Sequence, residues 1–282
     1  MGGRSLLEML FQQEGLPEYP LPPGLRSMYG GGLGFQEPVL YANLVASLDG
    51  VVTVPGRAHV GSTLSAHSSA DRFSMALLRA CADAVVIGAG TLRDSPGSLW
   101  TAERAYPKLA SEFSSLRQSL GRVAVPQLVV VTRSGDLDPS HPALRSGPLV
   151  VAPEARAGDL RGRLHGATSF LTYPGSQLDW RWLLAELKSR RLLTVLSEAG
   201  PRSTGQLIEL DLLDELFLTL APTVAGEPAD GGRGGFAPGV DLLGSGAARA
   251  RMLAVRRAGD HLFLRYQLQR PAQQRSPANL TM

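Results

Sequence analysis

The 282-residue sequence has one cysteine, Cys81, so no disulfide can close within the chain and a reducing compartment is expected. Cys81 ends an apparent amphipathic helix through Leu77-Leu78-Arg79-Ala80, where a small buried thiol is a better reading than a nucleophile. A lone cysteine cannot build a Cys-rich zinc site. The five histidines (His59, His67, His141, His165 and His261) are scattered without ligand-like spacing, so no metal is expected. No apolar run approaches the length of a membrane span, and the N-terminus lacks a charged stretch followed by an apolar one. The expectation is a cytoplasmic protein with no membrane partner. Basic residues also fall short of a patch: 28 Lys and Arg stand against 25 acids with no basic block, which argues against nucleic acid. The net charge of +3 suits a pocket for an anionic small molecule.

What is present is alternation. Val39–Ser47 reads as a central strand, followed by an Asp49-Gly50 turn. Helix then strand recur over Ala70–Ala80 and Ala84–Ile87, and over Leu109–Leu120 and Gln127–Val131. The strand Leu149–Ala152 leads through a short helix near Asp159–Leu164 to a strand near Ser169–Leu171. Trp180–Ser189 is helical and feeds the run Leu192–Leu196. This pattern predicts an α/β fold with three αβα layers, its sheet mainly parallel and covered on both faces. The last third differs: Glu215–Ala221 is a strand, and Met252–Arg256 with His261–Leu268 reads as an antiparallel hairpin about Gly259-Asp260. Residues 1–38 are expected to be an N-terminal extension with a short helix over Leu6–Phe11. Residues 39–270 form one domain and 271–282 a loose tail.

Three strand-to-turn junctions carry candidate chemistry. The first is Leu196-Ser197-Glu198-Ala199-Gly200-Pro201, which closes a buried strand and opens a helix for which Ser203 and Thr204 are the expected caps. Free N–H groups and the positive dipole end at such a helix start make an anion site. The second is Ile87-Gly88-Ala89-Gly90-Thr91, which lacks the third glycine of a dinucleotide fingerprint because Arg93 stands there. Its Thr91 offers a hydroxyl, and Asp94 could accept from a ribose or simply cap a helix. The third is Thr132-Arg133-Ser134 after Val129–Val131, either a surface turn or a grip on a phosphate monoester, since Arg forks onto phosphate oxygens. Two phosphate-ready turns suggest a dinucleotide, and the third suggests NADP rather than NAD. Asp49 and Glu198 are the acids at strand ends. Asp49 is either a residue that merely shapes an Asp-Gly turn or a functional acid, whereas Glu198 has a site where desolvation can tune it for substrate. Asn43, polar among apolar neighbours, is either a satisfied core amide or aimed into a cleft.

Three blocks in series resemble the pyrimidine reductases of riboflavin biosynthesis. These are Tyr41-Ala42-Asn43-Leu44-Val45-Ala46-Ser47-Leu48-Asp49-Gly50, the stretch from Leu77 to Thr91, and Ser197–Pro201 continuing through Leu213–Leu216 to Gly226. The similarity spans about residues 39–268. It implies a dihydrofolate-reductase-like fold, a homodimer, and NADPH-dependent reduction of a ribosylamino-pyrimidine phosphate to its ribitylamino form. Carried over by position, Val45, Thr91, Asp94 and the turn Ala199-Gly200-Pro201-Arg202-Ser203-Thr204 would hold NADPH. Asn43, Arg79 and Glu198 would face the substrate. Asn43, Asp49 and Glu198 are the catalytic candidates, with Asn43 near the reducible carbon where some members have Lys. The chain departs from the family at Gly56-Arg57-Ala58-His59-Val60, which replaces a Gly-x-Ser-x-Trp segment, and at Arg93-Asp94-Ser95-Pro96. Arg93 or Arg104 is then left for the substrate phosphate. A pterin or dihydrofolate reductase on the same fold, and a non-catalytic NADP- or flavin-binding module, are the alternatives.

Overall fold

The computed structural model describes residues 5–54, 56–226, 234–244 and 248–269. The expected tail 271–282 and part of the glycine-rich loop 226–239 lie outside the described residues. The strands are β1 (Glu8–Gln12), β2 (Val39–Ala46), β3 (Ala84–Gly88), β4 (Gln127–Val131), β5 (Leu149–Pro153), β6 (Ser169–Tyr173), β7 (Thr194–Ser197), β8 (Glu215–Leu220), β9 (Arg249–Ala258) and β10 (His261–Gln269). They make one ten-stranded sheet in the order β1-β9-β10-β8-β2-β7-β3-β4-β5-β6. From β8 to β6 every pair is parallel, while β10, β9 and β1 continue the sheet antiparallel.

The helices among the described residues are α1 (Pro23–Tyr29), α2 (Val60–Leu64), α3 (Ser69–Cys81), α4 (Ala89–Arg93), α5 (Ala102–Ala105), α6 (Ala110–Ser119), α7 (Glu154–Arg163), α8 (Trp180–Ser189) and α9 (Pro201–Glu209). None is long and apolar enough to cross a membrane. Successive strand residues point to opposite faces, and the two cores follow that alternation. Tyr41, Val85, Ile87, Val130, Val150 and Leu196 pack with α1, α3 and α6 through Leu25, Phe73, Leu77 and Phe113. Leu40, Ala42, Val86, Val129, Val151 and Val195 pack with α8 and α9 through Leu183, Leu187, Leu207 and Ile208. Strands buried on both faces must be apolar throughout, and the three-layer αβα architecture with its antiparallel hairpin follows.

Three local expectations are corrected. Leu6–Phe11 is not a helix: Glu8–Gln12 is the edge strand β1, paired with β9 and tied by an Arg257–Glu8 ion pair at 2.7 Å. A helix this short is marginal alone, whereas the open edge of β9 satisfies its backbone groups. The segment before β2 also fills the α3 face of the sheet, with Leu7, Leu25 and Leu33 fully buried. Helix α9 starts at Pro201 with Gly200 as its N-cap, two residues ahead of the Ser203 expected to cap it. Helix α7 begins at Glu154, a turn earlier than expected. Proline at the first position of α9 fits because its missing N–H would be unsatisfied there anyway.

Candidate functional site

The carboxyl ends of β2, β7 and β3 lie side by side, because β7 pairs with both neighbours in parallel. Above them opens a cleft of about 640 Å³. Its floor is Asn43, Leu44 and Val45 on β2, and one wall is the α3 stripe Asp71, Arg72, Met75 and Arg79. Glu198, Gly200 and Pro201 follow β7, and Thr91 and Asp94 come from α4. The far side is the segments Arg57–Ser62 and Ser95–Trp100, with Arg104. A cleft of this size outside the carboxyl ends of parallel strands is where an α/β sheet places small ligands.

Helix α3 reaches the cleft because Ser68 caps it, accepting from the Asp71 N–H at 3.3 Å. Its apolar face, Phe73, Ala76, Leu77 and Ala80, docks on the sheet. Asp71, Met75 and Arg79 share a neighbouring stripe four residues apart, and this stripe lines the cleft. Arg79 forks onto Glu198, with Nε donating to Oε1 at 2.9 Å and Nη2 to Oε2 at 2.7 Å. Both side chains are nearly buried, at 8% and 11% exposure, so the bidentate pair is what keeps either charge tolerable there. The two expected substrate contacts are therefore brought together, and each fixes the other's orientation.

Asp71 was not singled out by sequence reasoning. Half-buried on the α3 wall of the cleft, it lies near the hydroxyls of Thr219 and Ser65. Burial pushes its pKa up; those two hydroxyls and His261 pull it down, and nearby Glu198 adds to the rise. The available signal was an acid one helical turn from Met75 and two from Arg79. Its burial depends on chain segments far away in sequence.

The glycine turns also meet. Gly200 sits at φ 84° and ψ 171°, a region essentially reserved for glycine. A β-carbon there would lie 3.5 Å from Thr91 Oγ1, and one at Gly88 would lie 3.2 Å from the Ala199 carbonyl. Gly200 offers no capping side chain and Pro201 no N–H, so the first free donors of α9 are the backbone N–H groups of Arg202 and Ser203. Thr204 does not cap; it is buried and its hydroxyl donates back to the Gly200 carbonyl at 3.0 Å.

Other expected residues lie elsewhere. Thr132, Arg133 and Ser134 follow β4, adjacent to β3, but do not line the cleft. Thr132 is buried and accepts from the Gly135 N–H at 3.0 Å, Ser134 accepts from the Asp136 N–H at 3.2 Å, and Arg133 is exposed. Asp49 is also outside the cleft lining. Its carboxylate accepts from the Ala225 and Gly226 N–H groups at 3.1 and 2.8 Å and from the Ser47 hydroxyl at 2.6 Å. These bonds hold its pKa down to about 2, so it fastens the loop after β8 as a carboxylate. Of the two arginines left for a phosphate, Arg104 lines the cleft, whereas Arg93 pairs with Asp136 at 3.1 Å on the surface. Arg57 and His59, in the segment where the chain departs from the resembled family, line it too. Among the described residues no three His, Cys, Asp or Glu side chains group as metal ligands.

A mainly parallel αβα sheet with an antiparallel C-terminal hairpin and a cleft at its carboxyl edge defines an α/β protein built to hold a small ligand. The chain belongs to the RibD C-terminal domain family, which matches residues 38–245. Among curated proteins, none matches the sequence. Among solved structures it is similar in fold to a pyrimidine reductase-like protein from Corynebacterium diphtheriae, at 23% identity and a TM-score of 0.63 over 89% of this chain and 96% of that one. It is also similar to Acinetobacter baumannii RibD, at 21% identity and TM-score 0.63, covering 87% of this chain but 60% of that one. A Thermotoga maritima deaminase/5-amino-6-(5-phosphoribosylamino)uracil reductase gives 18% identity and TM-score 0.58, over 82% of this chain and 56% of the other. The chain thus spans less than two thirds of the length of the last two. Family and fold together make it a RibD C-terminal-type domain.

Proposed function

We propose that this chain is an NADPH-dependent reductase that converts a ribosylamino-pyrimidine phosphate to its ribitylamino form. The observation that carries the reading is the meeting of the Arg79–Glu198 pair, Asn43 and the Gly88 and Gly200 turns around one cleft in a chain of this family. The residues present fit a dinucleotide: an uncapped α9 start with free N–H groups, a glycine-only turn beside Thr91, and a 640 Å³ cleft leading on to charged side chains. When bound, NADPH would supply a hydride; the protein's part is to hold it, place the substrate carbon against it and exclude water.

In this reading Val45, Thr91, Asp94 and the turn Ala199–Thr204 hold the cofactor, and Arg133 with Ser134 meets its 2′-phosphate, on a turn that Thr132 closes. Glu198, oriented by Arg79, accepts hydrogen bonds from the pyrimidine. Asn43 faces the sugar carbon that receives hydride, and Arg57 or Arg104 at the far rim meets the sugar phosphate. Asp49 shapes the loop after β8 and takes no part in proton transfer. A small-molecule substrate, a homodimer and a cytoplasmic location complete the reading.

The test is to incubate the purified chain with the ribosylamino-pyrimidine phosphate and NADPH, following nicotinamide oxidation and identifying the product by mass spectrometry. Formation of the ribitylamino product is the expected result. Turnover of dihydrofolate instead would assign a pterin substrate. NADPH binding with no turnover of either would leave a cofactor-binding module, and absence of NADPH binding would overturn the reading altogether.

A further inference from the structure

We propose that His141, which lies outside the cleft, is a positioning residue that sets its far wall and with it the phosphate end of the substrate. The inference rests on the reductase reading above and adds to it the side chain that holds the Arg57 and Arg104 segments in place.

His141 follows β4 and opens a short 3₁₀ helix over Pro142–Arg145, where it is buried. Its two ring nitrogens have different tasks. Nδ1 accepts from the Ala143 N–H at 3.2 Å, which closes the turn. Nε2 lies 3.2 Å from the Ser95 carbonyl, and a carbonyl can only accept, so this nitrogen carries the ring proton. One tautomer makes both bonds. The ring also lies against the indole of Trp100, with centroids 6.0 Å apart. Ser95 and Trp100 are the two ends of one cleft-lining segment, so His141 grips both ends from behind.

The segment needs such a grip. Trp100 has a left-handed backbone, φ 55°, although it carries a bulky side chain, and it is 3% exposed. A residue in that region persists only where its surroundings fix it. Just beyond it Thr101 caps α5 by accepting from the Arg104 N–H at 3.3 Å, and Arg104 lines the cleft. On the other side the Asp94 carbonyl accepts from the His59 N–H at 2.9 Å. His59 directly precedes α2 and stands two residues after Arg57. The successive carbonyls of Asp94 and Ser95 thus join both stretches of the far wall to each other and to His141. Each arginine that the reductase reading offers to the sugar phosphate sits on a stretch so joined. The Gly88 and Gly200 turns lie against Ala199 and Thr91 instead.

The experiment separates the two bonds. His141→Asn keeps an acceptor at the Nδ1 position for Ala143 but is too short to reach Ser95, whereas His141→Gln reaches Ser95 with its amide N–H. Steady-state kinetics with the ribosylamino-pyrimidine phosphate and NADPH are compared for the wild type and both variants, with NADPH affinity followed by fluorescence and folding by urea. His141→Asn should raise the KM of the sugar phosphate about tenfold, the loss of one hydrogen bond. Its kcat and NADPH affinity should stay within about threefold of wild type, and its urea midpoint should not move. His141→Gln should bring KM back to within about threefold. An Asn variant with wild-type KM, or one that loses substrate and NADPH affinity alike, overturns the positioning role; so does a Gln variant no better than Asn. The second arm needs no turnover. In the ligand-free protein the backbone N–H groups of His59 and Ser98 are bonded to the Asp94 and Ser95 carbonyls, so their NMR signals should shift in His141→Asn and return in His141→Gln. Signals that stay in place overturn the linkage. A wild-type protein that binds NADPH but reduces no ribosylamino-pyrimidine phosphate fails the reductase reading instead, and the two amide signals still decide whether His141 holds the wall.

Discussion

The two ends of the same parallel strands are built in opposite ways. At the amino ends, polar groups are closed upon one another. Arg122 donates to Asp83 at 2.7 Å and to the Thr194 hydroxyl at 2.7 Å, and also reaches Glu37 and the Cys81 carbonyl. The second Asp83 oxygen accepts from the N–H groups of Leu193 and Thr194 at 2.9 and 2.8 Å, and the Asp83 carbonyl accepts from Gln127 at 2.8 Å. One arginine and one aspartate thus join the starts of β2, β3, β4 and β7, and Arg122 is 5% exposed. At the carboxyl ends, closed contacts such as the Arg79–Glu198 pair and the Asp49 turn stand beside an open cleft. Asn43, Arg57 and Arg104 line that cleft, and the start of α9 has no side-chain cap. The closed end holds strand register, and the open end keeps polar groups for a ligand.

Breaking the closed end should give the largest effect. Arg122→Ala leaves Asp83 and Glu37 without their cation among buried groups, which typically costs about 3–5 kcal/mol. The urea midpoint should fall accordingly, while protein that remains folded binds NADPH with unchanged affinity. Loss of both together would mean that the two ends are not separable. Glu198→Gln should show the converse balance. It removes a charged hydrogen-bond acceptor worth about 1.5–3 kcal/mol, so kcat/KM should drop roughly tenfold to a hundredfold. Its urea midpoint should move less than that of Arg122→Ala, because water can enter the cleft beside Arg79.

What could be read in advance follows the same division. Val39–Ala46, Ala84–Gly88, Gln127–Val131 and Thr194–Ser197 are largely buried on both faces, so each is predominantly apolar and bounded by turns. The glycine junctions after Ile87 and Leu196 were legible because only glycine fits a turn such as Gly200. The start of α9 was placed late because Ser203 and Thr204 carry good capping chemistry, yet Thr204 is turned inward onto Gly200. β1 and Asp71 were missed for another reason. The strand exists only because β9 leaves an edge open, and the aspartate comes near Thr219 and His261 only through the fold. Such non-local events leave no local pattern.

Smaller effects sharpen the boundary of the open end. If Arg133 meets a 2′-phosphate, Arg133→Ala should weaken NADPH binding about tenfold, the loss of one charge-assisted hydrogen bond, and leave NADH binding unchanged. Equal loss for both nucleotides, or for neither, would return Arg133 to a solvated turn. Asp49 gives the mildest case, since it shapes the rim without lining the cleft. Its folded-state pKa of about 2 lies below the ordinary aspartate value, so its bonds to Ala225 and Gly226 are present in full above that ordinary value. They fade as pH falls through about 2, and the amide shifts of Ala225 and Gly226 should titrate together there. Asp49→Asn should abolish that titration and, because one amide oxygen still accepts, lower reductase activity by no more than about threefold. A large loss of activity in this variant would place the loop after β8 inside the catalytic half of the molecule.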